Sequence, residues 1–138
     1  MNARSTIARI EGFSLIEALI AVVIFSIGIL SLVAAQAMAK QYAADAQWNA
    51  EAMHHASALI GALRLADQDT IASEFSAPTG AAYVGWLAQV STGPRALPGA
   101  DTYPPTITFA GRTVTVQINW VGAAQQARRK LVLVTDLG

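Results

Sequence analysis

The chain has 138 residues, the scale of one domain, with nine Lys+Arg set against nine Asp+Glu and a formal charge of zero. A balance of that kind excludes the broad basic field of a nucleic-acid binder. The absence of cysteine excludes disulfides and thiolate sites, and two adjacent histidines leave little for a zinc centre or a His-based triad. No phosphate-loop or nucleophile-elbow pattern occurs, and there is no internal repeat or low-complexity tract. The expectation is a protein that is not an enzyme, with no catalytic residue, cofactor or metal.

The apolar excess is concentrated near the start. From Ala18 to Ala39 the sequence carries no charge, and as a helix this stretch spans about 33 Å at ~1.5 Å per residue, enough to cross a bilayer. Arg4 and Arg9 lie upstream and Lys40 downstream, which predicts a cytoplasmic N-terminal flank and a body on the far side. Ordinary signal-peptidase cleavage is the alternative: Ala35-Gln36-Ala37 has the small-x-small form and would leave a secreted or membrane-anchored periplasmic enzyme or binding protein starting at Met38.

Glu17 abuts the apolar run, where an ionised carboxylate costs roughly 2.5–3.5 kcal/mol at mid-bilayer and less near the interface. It therefore calls for a cation. No Lys, Arg or His lies between Arg9 and Lys40, so a buried partner has to come from another chain or from a newly made N-terminus. Inside the run, Gly28 permits bending or a close helix approach.

The helical pattern continues past Lys40. Met38, Tyr42, Ala46, Met53, Ala56, Ile60 and Leu63 recur at spacings of three, four or seven, with Asp45, Glu51 and Asp67 off that stripe. With no proline before Pro78, one helix is predicted from Phe13 to Ala66, about 80 Å long at ~1.5 Å per residue. A polar connector, Asp67 to Gly80, bears at most one helical turn. Tyr83, Trp86, Leu87 and Val90 then predict a second helix over Ala81 to Ser91. Thr92 to Pro105 is turn-rich.

Beyond Pro105 the period becomes two. Thr106 to Phe109 and Thr113 to Trp120 form a predicted hairpin with Val114, Val116, Ile118 and Trp120 on the buried face. Lys130 to Thr135, apolar on both faces, is expected as a covered third strand completing an antiparallel meander against the outer half of the long helix. The fold class is α+β.

The run from Glu11 to Leu30, with its Gly12-Phe13 bond, Ser14-Leu15-Ile16-Glu17 and the apolar helix, resembles the leader junction of type IV pilins and pseudopilins. The resemblance implies a pilin-like fold, with residues 1–12 a cleaved leader, 13–39 the transmembrane half of the helix, 40–66 its amphipathic periplasmic half and 67–138 the globular head. It implies that a prepilin peptidase cuts after Gly12 and methylates the new amine of Phe13, and that Glu17 pairs with the N-terminal ammonium of a neighbouring subunit. Glu11 departs from the basic or polar residue usual at its position, and the mid-helix proline of many major pilins is missing.

Downstream, Trp86-Leu87, the Arg95-Ala96-Leu97-Pro98-Gly99-Ala100 turn and the strand ending at Trp120 resemble the PilV-like minor pilins, the type IV pilus modification proteins. This implies a single-pass inner-membrane protein incorporated into the pilus and acting in its assembly, initiation or modification. Its partners would be the prepilin peptidase, other minor and major pilins, inner-membrane pilus assembly proteins and lipid, with no nucleic acid. A minor pseudopilin of type II secretion shares the leader and Glu17.

Other conspicuous residues read as structural. His54 and His55 point about 100° apart on a helix and are expected at a solvated rim. Asp67 and Asp69 suit a turn or cap, and Trp48, Trp86 and Trp120 suit packing. Arg128-Arg129-Lys130 is expected to keep a strand end in water.

Overall fold

The computed structural model describes residues 10–123 and 127–138, with residues 10–13 described as backbone only. The chain divides into two compact units, Met1–Lys40 and Gln41–Gly138. Helix α1 (Ile10–Leu65) runs through both, as the proline-free sequence predicts. Arg4 and Arg9 lie outside the described residues.

In the first unit every described side chain of α1 is exposed, including Leu15, Ile20, Ile24, Phe25 and Leu30. The segment is long and apolar enough to cross a membrane. Two serines in the middle of the run turn their hydroxyls onto the helix backbone. Ser26 Oγ donates to the Val22 carbonyl at 2.7 Å and Ser31 Oγ to the Ile27 carbonyl at 2.9 Å. Polar groups are thereby satisfied within the helix, as a hydrocarbon environment demands.

The second unit holds the rest of α1, the single turn α2 (Ile71–Glu74), helix α3 (Ala81–Thr92) and the strands β1 (Thr106–Ala110), β2 (Thr113–Val121) and β3 (Arg128–Asp136). The strands form an antiparallel meander in the order β1-β2-β3. Ala110 pairs with Thr113 across a two-residue turn, Gly111-Arg112, in which Gly111 takes φ +62°. A side chain there would be strained, and glycine suits a tight hairpin.

One core joins these elements. Ala52, Ala56, Leu59 and Leu63 of α1 meet Tyr83, Trp86 and Val90 of α3 and the inner face of β2, with Ile71, Phe75 and Leu97 closing the margins. The alternation expected of β2 is present: Val114, Val116, Ile118 and Trp120 are all buried. Trp86 and Trp120 lie in the core and Trp48 packs against it, as the sequence suggests.

Two expectations are corrected. The buried stripe of α1 runs through Asp45, Ala52, His55, Ala56, Leu59 and Leu63, while Met38, Tyr42 and Met53 are exposed. The predicted stripe is thus rotated, with only its Ala56 and Leu63 buried, because the covered face is set by where α3 and the sheet pack on the helix. Strand β3 is also not covered. It is an edge strand with no buried residue, and Val132 and Val134 stand in the open on the face away from the core.

Candidate functional site: the start of the long helix

Gly12 and Phe13 fall in the first turn of α1, and Glu17 lies one helical turn further on. Residues four apart occupy one face of a helix, so the position of Phe13 and the Glu17 carboxylate share a side. Glu17 is exposed among Leu15, Ile16, Leu19 and Ile20, which are more than half exposed. No cation pairs with Glu17 among the described residues. The arrangement is a lone acid at the margin of a continuous apolar surface.

The head has its own charged clasp. Asp45, which falls off the predicted apolar stripe, is buried on α1: it accepts the Ala123 N–H at 2.6 Å and faces the Arg129 guanidinium at 3.5 Å. The charge run at the start of β3 therefore divides. Arg129 points inward to Asp45, whereas Arg128 and Lys130, on the opposite side of the alternating strand, stay on the outer face.

His55 departs from the solvated position expected of it. Its ring is buried, with Nε2 at 2.9 Å from the Arg95 carbonyl, and its own backbone carbonyl accepts the Trp86 indole N–H at 3.1 Å. Glu51, one turn earlier, faces Arg95 at 3.6 Å. His54 is exposed. These contacts tie α1 to α3 and to the turn after it. The signal in the sequence was weak, because a histidine beside an exposed histidine carries no burial pattern.

Asp67 caps its turn as expected, its carboxylate accepting the Asp69 N–H at 3.0 Å. No cluster able to hold a metal ion occurs among the described residues. Burial raises the Tyr83 phenol above its ordinary value of 10.0, and its hydroxyl donates to the Pro105 carbonyl at 2.8 Å.

The family model of the prokaryotic N-terminal methylation motif matches residues 7–33, a stretch containing Gly12, Phe13 and Glu17. The match supports a type IV pilin-like protein. The motif implies processing by a prepilin peptidase and pilin partners in general, and its family is structural rather than catalytic. The apolar helix and the motif together are consistent with membrane anchoring and incorporation into a pilus. The match ends inside the apolar run, and no curated protein and no solved structure matches the chain.

Proposed function

We propose that this protein is a minor pilin of the PilV-like kind, made as an inner-membrane precursor, cut between Gly12 and Phe13, methylated on Phe13 and built into a type IV pilus. In this reading residues 1–12 are the leader, 13–39 cross the membrane and the head, 67–138, occupies the periplasm on the helical stalk of residues 40–66. The observation that carries it is the Glu17 carboxylate, without a cationic partner among the described residues, one turn after Phe13 and surrounded by exposed apolar side chains.

Cleavage after Gly12 creates an ammonium where none existed. Two opposite charges that are each costly in hydrocarbon attract strongly at low dielectric. A neighbour presenting its Phe13 amine therefore draws the acid-bearing helix from lipid into a bundle. The assignment to the pilus, rather than to the pseudopilus of type II secretion, is supported by the likeness of the Trp86 helix, the Leu97-Pro98-Gly99 turn and the Trp120 strand to PilV-like proteins. Deletion should accordingly reduce piliation and leave secretion intact, and the reverse result would transfer the protein to the secretion machinery.

Mass spectrometry of the protein from its native host tests the processing. An N-methylated Phe13 terminus is expected, and a mature chain starting at Met1 or Met38 would overturn the proposal. Glu17→Ala should insert in the membrane normally yet be depleted at least tenfold from sheared filaments, the loss of about 1.4 kcal/mol or more of pairing.

A further inference from the structure

The outer face of the sheet carries a cleft of about 480 Å³ that has no part in the N-terminal chemistry. Its floor is the outward side of β2, Gln117 and Asn119, its wall is Arg128 and Lys130 of β3, and its rim is the loop Thr102-Tyr103-Pro104. The volume lies within the ~300–1,000 Å³ usual for small-ligand clefts. No acidic side chain lines it, and neither Arg128 nor Lys130 has an acidic partner among the described residues. The third member of the charge run is spent on Asp45, so the two cations here are a separate feature.

The groups are held in place. The Arg128 guanidinium lies over the Tyr103 ring, 5.3 Å from its centroid, an arrangement that orients the cation. Asn119 is buried, only 8% exposed, and its amide nitrogen has a long 3.5 Å contact to the Pro104 carbonyl, while its oxygen accepts from the Gln117 amide at 3.1 Å. An amide nitrogen has two N–H donors and an amide oxygen two lone pairs, so both side chains retain capacity for a ligand.

We propose that this cleft binds an anionic saccharide, a sugar residue bearing a carboxylate. A guanidinium fork and an ammonium suit the carboxylate. Adjacent amides that both donate and accept suit vicinal hydroxyls, and the half-exposed Tyr103 ring offers its remaining surface to the apolar side of a pyranose. A site made for a bare inorganic anion would need none of the amide floor, and one made for a neutral sugar would need neither cation.

The test uses the full-length protein in non-ionic detergent at fixed ionic strength, titrated with trigalacturonate, with maltotriose and with sodium sulfate. Binding is read from the side-chain amide resonances of Gln117 and Asn119. Trigalacturonate should shift both in a saturable way, with maltotriose and sulfate at least tenfold weaker. Arg128→Gln should weaken trigalacturonate about tenfold, the loss of one charge-assisted contact, and Gln117→Ala several-fold. Arg128 is exposed and Gln117 half-buried, and the folding of both variants is verified by circular dichroism. Sulfate binding as tightly as the uronate would reduce the cleft to simple charge attraction and overturn the proposal. Equal binding of maltotriose, or no saturable shift with any probe, would overturn it as well.

Discussion

Tyr83 shows how one polar atom in the core sets a pH limit on the head. Its phenol is buried and satisfied by the Pro105 carbonyl, and burial holds its ionisation above 10.0. The unfolded chain gives up this proton at lower pH than the folded one, so the contribution is complete below pH 10.0 and is lost as pH rises through the folded-state value. Tyr83→Phe should cost about 1 kcal/mol at neutral pH, where only the hydrogen bond is removed. That gap between variant and parent should narrow above pH 10.0, as read from urea unfolding at several pH values; a constant gap would refute the assignment. Asp45 and His55 carry a related lesson about legibility. A polar residue on the buried side of a helix is invisible to hydropathy, because its partners, Ala123 and Arg129 in one case and Arg95 in the other, are distant in sequence.

Among the elements, α1 was legible from its long proline-free run, and α3 and the β1–β2 hairpin from a clean period punctuated by Gly or Pro. The buried side of α1 and the exposure of β3 were not. Which face of an alanine-rich helix is covered depends on where α3 and the sheet arrive, and whether an apolar strand is central or at an edge depends on its neighbours. The turn between α3 and β1 makes the clearest demand on a single residue. Gly99 has φ +75°, and a Cβ added there would stand 2.6 Å from Val121 Cγ2. Just before it, the Pro98 carbonyl accepts the Val121 N–H at 2.7 Å. Gly99→Ala should destabilise the head by about 1–3 kcal/mol, combining backbone strain with a steric clash. A melting temperature within a degree of the parent would show that the loop gives way without cost. At the N-terminal junction the sequence was more informative than the fold, since Gly12, Phe13 and Glu17 belong to a linear motif and, in the function proposed, act together only after cleavage.

At the scale of the molecule, every buried residue among those described lies in Gln41–Gly138, and the first unit contributes none. A fragment spanning Gln41–Gly138 should therefore remain soluble without detergent and melt in one cooperative transition. Insolubility, or a broad non-cooperative melt, would show that the first unit supports the fold. Along α1, Asp45 is the first buried side chain after the apolar run, and it fastens the chain beyond β2 and, through Arg129, the start of β3. That short polar latch secures two stretches of chain through one carboxylate, so losing the aspartate would loosen both together.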